Sequence, residues 1–236
     1  VAEMSRVYAG YSQSLSQNLM NLVASHDSPR FGTSFQNKHK YKFRMGARKN
    51  TDLHLGPPGT AVVREMRMML LHQFTYTGAP HIWSGDELGM WGADDPDCRK
   101  PVIWDDIPHR PQVFTPDGLR HEPITVKPDT ELRDYYKTLI AFRKKRRELV
   151  GGGLEFVLAN DNDMTLAYRR ELTGRETIVA FNLSGQVKTV SLTVDGRLKI
   201  RVLLESSPSS VAGFRQNKRT TEIRLNPYSG VALGDE

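Results

Sequence analysis

The sequence predicts an α/β region followed by an all-β region, and three observations carry that division. The run Leu19-Met20-Asn21-Leu22-Val23-Ala24 is apolar almost without alternation, as expected of a strand buried on both faces. Two longer segments, 60–75 and 130–149, repeat apolar residues at helical spacing. Beyond Gly151-Gly152-Gly153 the period changes to that of short strands punctuated by turn residues. The boundary therefore falls near 150, giving one domain over 1–150 and a second over 151–236.

Along the first region, residues 11–17 end a helical or irregular segment and 18–25 form the buried strand. A long loop, 28–58, closes at Gly56-Pro57-Pro58-Gly59. The helix from Thr60 to Thr75 follows, with Val62, Val63, Met66, Met69, Leu70 and Phe74 on its apolar face. Gly78-Ala79-Pro80 breaks it, and His81-Ile82-Trp83 starts a second short strand. A second long loop, 84–128, leads to the helix from Thr130 to Leu149, where Leu132, Tyr135, Tyr136, Leu139, Ile140 and Phe142 face inward. Cations crowd its end from Arg143 to Arg147, where they complement the helix dipole.

In the second region, 154–158, 165–170, 177–182, 188–194, 200–205 and 221–225 read as strands. Turn sequences such as Asn160-Asp161-Asn162-Asp163, Thr173-Gly174 and Asp195-Gly196 separate them, which predicts an antiparallel β-sandwich. The α/β region poses a problem of its own. Two strands and a few helices make a poor independent core, and both loops far exceed the usual ~4–6 residues. The economical expectation is the C-terminal part of a larger (β/α)8 barrel, with the natural start upstream of Val1.

Composition narrows the function classes. No run of ~18 apolar residues exists, so no membrane span is predicted, and the first residues lack the basic and apolar regions of a signal peptide. Localisation is not readable from this stretch. The single cysteine, Cys98, excludes an intramolecular disulfide framework. The net charge of +6 is local: six of the 33 bases lie between Phe31 and Lys49 without an acid, leaving 27 against 27 acids elsewhere. Lys38-His39-Lys40-Tyr41-Lys42-Phe43-Arg44 interleaves bases with aromatics, as a phosphate-gripping, base-stacking loop would. No nucleic-acid module surrounds it, so a solvated loop is expected and no nucleic-acid partner.

Two motifs carry chemistry. The first strand exits into Ser25-His26-Asp27-Ser28-Pro29-Arg30, where α/β barrels place their reactive groups. The second exits into Trp83-Ser84-Gly85-Asp86-Glu87-Leu88-Gly89, followed by Asp94-Asp95-Pro96-Asp97-Cys98-Arg99-Lys100-Pro101-Val102-Ile103-Trp104. Carboxylates and a guanidinium are good partners for sugar hydroxyls, which both donate and accept. An acidic cluster also suits calcium, but this spacing does not follow a twelve-residue calcium loop. No metal and no cofactor is expected.

On these residues the chain resembles the α-amylase family of glycoside hydrolases. Asn18–Arg30 is similar to the family's fourth conserved region, which ends the seventh barrel strand with a His–Asp pair. Gly85–Trp104 is similar to the segment after the eighth strand in the cyclomaltodextrinase and neopullulanase branch, and the β-rich tail matches the position of the C-terminal sandwich. The resemblance implies strands 7 and 8 of the barrel plus that sandwich. It implies a retaining enzyme acting on cyclodextrin, maltodextrin, pullulan or starch α-glucosidic bonds. Asp27 matches the third, transition-state-stabilising carboxylate; His26, Asp95 and Arg99 match positions that hold the sugar at subsites −1 and −2. Arg30 and Glu87 match positions where a supporting role is at least as well founded.

The nucleophile and the acid/base, which in a retaining enzyme stand ~5–5.5 Å apart, are placed by this resemblance upstream of residue 1. Gly213-Phe214-Arg215-Gln216-Asn217 mimics the nucleophile motif, but carries Asn at the decisive position and lies in the sandwich. The chain alone is therefore expected to be inactive and to require the N-terminal part of the barrel; the implied full-length enzyme is a candidate homodimer. The competing reading is a non-catalytic carbohydrate-binding or interaction module, with Phe156, Tyr168, Phe181, Phe214 and Tyr228 as candidate stacking residues.

Overall fold

The computed structural model describes residues 1–40, 46, 50, 52–194 and 199–235. In chain order the elements are α1 (Ala2–Tyr8), α2 (Gln13–Ser16), β1 (Met20–Asn21), α3 (Phe31–Gln36), α4 (Thr60–Thr75), β2 (Ala79–Pro80), β3 (Gln112–Phe114), β4 (Arg120–Ile124), α5 (Thr130–Lys145) and α6 (Arg147–Gly151). The β-rich part follows: β5 (Gly153–Asn160), β6 (Thr165–Leu172), β7 (Arg175–Asn182), β8 (Lys188–Thr193), β9 (Arg201–Glu205), β10 (Val211–Gln216), β11 (Thr220–Leu225) and β12 (Ser229–Gly234). Packing divides the chain into two compact units, both discontinuous in sequence.

One unit comprises 1–21, 67–80 and 139–236. It contains a five-stranded antiparallel sheet in the order β5-β6-β7-β12-β9 and a three-stranded antiparallel sheet in the order β10-β11-β8. Both sheets contribute to one apolar core: Ala167, Ile178, Ala180, Val231 and Leu233 from the larger, Val190, Leu192, Ile223 and Leu225 from the smaller. In β8 and β11 buried and less buried residues alternate, the period of two that their sequences show. Two arginines, Arg170 buried and Arg143 half-buried, complete the unit. Arg170 donates to the carbonyls of Thr75, Gly152 and Gly153 at 2.8–3.0 Å, and Arg143 to those of Phe74 and Gly78 at 2.8 and 2.6 Å. They satisfy the carbonyls that the end of α4 and the turn after it leave open.

The other unit comprises 22–66 and 81–138. Its apolar centres are small: Leu88, Met90 and Ile103, with Leu53 and Ala93 in a second cluster. The β3–β4 hairpin belongs to it. So does the start of α5, where the Asp129 carboxylate accepts from the Leu132 N–H at 2.9 Å as an N-cap.

Several local expectations need correction. The strand expected over 18–25 is two residues long, pairs in parallel with β2 on one side, and leaves Met20 63% and Leu22 55% exposed. Among the described residues its other edge has no partner strand, and these exposed side chains show that the run is not buried on both faces. The second strand sits at 79–80, two residues before His81–Trp83. The helix ending at Leu149 breaks at Arg146, whose guanidinium is drawn onto Glu148, Thr177 and the Glu176 carbonyl. The loop 28–58 contains α3, and the loop 84–128 contains the hairpin. Strands β10 and β12 were not anticipated; the Gly213–Gln216 mimic lies in β10. Tyr41–Arg44 of the basic loop lie outside the described residues, while Lys38 pairs with Glu65 and Lys40 with Asp52.

Candidate carbohydrate site

The residues after β1 form a serine-braced turn. The Ser25 N–H donates to Ser28 Oγ at 2.9 Å, and the Asp27 N–H to Ser25 Oγ at 3.2 Å. This turn leaves His26 and Asp27 exposed while Pro29 and Arg30 turn inward. The Arg30 N–H donates to the Gly92 carbonyl at 3.0 Å, and the Gly92 N–H to Thr33 Oγ1 at 2.9 Å, lacing this segment to the one after β2. Gly92 also lets the loop after β2 fold tightly on itself, because a Cβ there would meet the Asp97 carbonyl oxygen at 2.4 Å.

The four residues singled out for sugar binding come together. Asp27 holds His26 Nε2 at 3.0 Å through one oxygen and Arg99 Nη2 at 2.9 Å through the other. Arg99 Nε reaches Asp95 Oδ1 at 2.5 Å, one turn earlier in a segment that includes a cis Asp95–Pro96 peptide and a 3-10 turn over Asp97–Arg99. The arrangement runs imidazole, carboxylate, guanidinium, carboxylate, and all four groups face solvent. It offers donors and acceptors in alternation, which matches vicinal hydroxyls.

Arg30 and Glu87 lie elsewhere. Glu87 Oε2 accepts from the Gly85 N–H at 2.8 Å. Arg30 is fully buried, with Nη1 donating to the Ser84 carbonyl at 2.6 Å and to Asp86 Oδ1 at 3.2 Å. Burial pushes the Asp86 carboxyl up to about 7, against the downward pull of Arg30. Geometry explains why the cation does not win. Its Nη1 is shared with a carbonyl, and Asp86 Oδ2 has no hydrogen-bond partner among the described residues.

Sequence reasoning missed two supports. Trp83 packs between His26, 6.1 Å between ring centroids, and Arg30, whose guanidinium carbon lies 5.3 Å from the indole centroid. Cys98 is buried, its thiol donating to the His26 carbonyl at 3.1 Å. A tryptophan at a strand exit was the available signal for the first; nothing in sequence pointed to the second. Of the β-rich region's aromatics, Tyr168 and Phe181 are buried, Phe156 and Tyr228 are half-buried, and Phe214 is exposed. Among the described residues no three His, Cys, Asp or Glu side chains stand where they could share a metal ion, and no helix is long and apolar enough to cross a membrane.

No family model matches the chain. Among curated proteins it is 30% identical to neopullulanase 2 of Thermoactinomyces vulgaris over 235 residues, 98% of this chain and 32% of that one. It is 29% identical to the cyclomaltodextrinase of Geobacillus thermopakistaniensis over 231 residues, 98% of this chain and 31% of that one. The chain thus spans about a third of the length of these relatives. Among solved structures the Nostoc punctiforme debranching enzyme matches 99% of the chain, and 39% of its own, with a TM-score of 0.67 at 20% identity. A cyclomaltodextrinase structure matches 97% of the chain, and 31% of its own, with a TM-score of 0.62 at 23% identity. Its sequence relatives and structural neighbours are glycoside hydrolases of the α-amylase family. Within it, its sequence relatives are of the cyclomaltodextrinase and neopullulanase branch.

Proposed function

We propose that the chain is the C-terminal part of a retaining α-glucan hydrolase acting on cyclodextrin, maltodextrin, pullulan or starch. On this reading residues 1–150 supply the last two strands of a (β/α)8 barrel and 151–236 a C-terminal β-sandwich. The nucleophile and acid/base carboxylates come from the preceding part of the barrel. The observation that carries the reading is Arg99, which ties Asp27 to Asp95 and so builds one continuous hydrogen-bonding edge from two separate motifs. The second edge of β1, which has no partner strand among the described residues, supports it too, since a further barrel strand would pair there.

In this mechanism Asp27 and His26 hold the 2- and 3-hydroxyls of the glucose being cleaved. The bonds tighten as the ring flattens toward its oxocarbenium-like transition state, so they lower the barrier rather than merely bind substrate. Asp95 and Arg99 hold the next glucose on the non-reducing side. Arg99 also fixes the Asp27 carboxylate in the orientation that presents an oxygen to the sugar. Arg30, Asp86 and Trp83 form the base on which His26 rests.

Joining the chain to a barrel segment that carries the two remaining carboxylates tests this. The assembled enzyme should hydrolyse cyclodextrin or pullulan. Asp27→Asn removes two charge-assisted bonds, each worth about 1.5–3 kcal/mol, and so should lower kcat/KM by about a hundredfold to ten-thousandfold. Near-normal turnover by the variant would refute the assignment.

A further inference from the structure

We infer that Trp83 and Cys98 are positioning residues: with His26 they close a ring of three contacts that holds Arg99 in register with Asp27, and so sets the spacing at which two neighbouring glucose rings are gripped. The inference rests on the reading that His26, Asp27, Asp95 and Arg99 hold an α-glucan, and it deepens that reading by naming what keeps them in place.

Three separate segments meet in this ring: the turn after β1, the exit of β2 and the stretch that carries Asp95 and Arg99. His26 packs its imidazole against the Trp83 indole, with 6.1 Å between ring centroids. The His26 carbonyl accepts from the Cys98 thiol at 3.1 Å. The Cys98 carbonyl accepts in turn from the Trp83 indole N–H at 3.4 Å. Each contact is weak taken singly, since a thiol is a poor donor and the indole bond is long. Closed into a ring they act together, because no segment can slide without disturbing two of the three.

The register follows from chain order. His26 and Asp27 are consecutive, as are Cys98 and Arg99, and the two pairs meet in step: Cys98 on His26, Arg99 on Asp27. The 3-10 turn over Asp97–Arg99 sends Cys98 inward, fully buried, and Arg99 outward, where its guanidinium spans Asp27 and Asp95. The far end of the stretch is fixed separately. There the Asp97 carboxylate accepts from the Ala93 N–H at 2.6 Å, and the Arg30 N–H donates to the Gly92 carbonyl at 3.0 Å. The thiol and the indole hold the end beside Arg99. Burial raises the thiol's pKa, so Cys98 keeps the proton it donates.

Two conservative variants open the ring at different contacts. Trp83→Phe keeps an aromatic ring under His26 and removes the indole N–H; Cys98→Ala keeps the carbonyl and removes the thiol. A misplacement of about 1 Å can cost about a hundredfold in rate, so in the enzyme assembled with the preceding barrel segment each variant should lower kcat/KM on cyclodextrin about tenfold. The decisive comparison adds Cys98→Ala to Arg99→Ala. With Arg99 gone there is no register left to set, and the further loss should be under about threefold. A full tenfold loss in that background would mean a general structural role and overturn the inference, as would unchanged kcat/KM in Cys98→Ala alone.

The ring is also read in the chain by itself. Cys98 is the sole cysteine, so the infrared spectrum has one S–H band, expected at lower frequency than in the urea-unfolded chain. In 15N-resolved NMR the Trp83 indole signal should move in Cys98→Ala, because the carbonyl that it bonds has lost its anchor. An S–H band at higher frequency than in the unfolded chain, or an unmoved Trp83 signal, would show that the three contacts do not act as one and overturn the inference. A large loss in Asp27→Asn with none in Cys98→Ala removes the role of the ring and leaves the proposed function standing. Normal turnover of Asp27→Asn with both spectroscopic signals as expected removes the proposed function, and with it the task assigned to a ring that is nonetheless formed.

Discussion

Asp86→Asn isolates the least ordinary electrostatic feature of the site. The wild-type carboxyl is displaced from 3.8 to about 7 by burial, so between those values the folded chain holds a proton that the unfolded chain releases. Its contribution is therefore largest below pH 4 and is lost as pH rises toward about 7. At ~1.36 kcal/mol per pKa unit the displacement corresponds to about 4 kcal/mol over the full range. Asparagine keeps the shape and an oxygen for Arg30 but cannot titrate. The difference in unfolding free energy, wild type minus variant, should fall by about 2–3 kcal/mol from pH 5 to pH 7, close to one proton's slope. Urea unfolding followed by tryptophan fluorescence reads this directly, because Trp83, Trp91 and Trp104 all lie in the unit that contains Asp86. A difference that stays flat over this range would mean that Arg30 keeps the carboxyl ionised. A difference that rises with pH would reverse the sign of the argument altogether.

Two further substitutions probe packing. Gly92→Ala drives a methyl group into the Asp97 carbonyl, a backbone atom, and should cost about 1–3 kcal/mol in the same urea assay; a loss under about 0.5 kcal/mol would show that the 92–97 loop opens to make room. Tyr168→Phe removes a fully buried hydroxyl that lies 2.7 Å from Thr75 Oγ1. Because Thr75 also bonds the Leu71 carbonyl at 2.6 Å, the expected cost is only about 1 kcal/mol by circular dichroism, and a loss above about 3 kcal/mol would mean a larger network depends on it.

How much of this was legible depends on what each segment had to satisfy. Helix α4 was read to the residue because its apolar spacing is regular and Gly-Pro signals flank it. Strand β12 was missed for the opposite reason. Ser-Gly-Val-Ala-Leu-Gly lacks the bulky alternation of a strand, yet it lies between β7 and β9 with every residue buried. Its small side chains answer a packing demand: a Cβ on Gly230 would come within 2.7 Å of the Phe181 ring. The same holds for α3, whose Gly32 weakens the helical signal because Pro58 leaves no room for a side chain. Local pattern reveals elements whose needs are local. It is silent where a distant neighbour dictates the residue.

The site divides along the same line. The exposed residues were legible through the resemblance, because they fall in two motifs that each follow a strand and match the α-amylase family. His26, Asp27, Asp95 and Arg99 are of this kind, and the structure brings all four together. Arg30 was visible but its task was not. An arginine in a loop reads as a surface charge until Asp86, 56 residues away, and the Trp83 ring are found against it. That buried contact is weak support for stability by itself, since burial pushes the Asp86 carboxyl up to about 7 and so disfavours the charged form that would attract Arg30. Its value is positional: the guanidinium and His26 press on the same indole, so the ring that must present its nitrogen to Asp27 rests on a base fixed by Arg30. On the proposed function, the exposed half of the site sets what is bound and the buried half how accurately it is held.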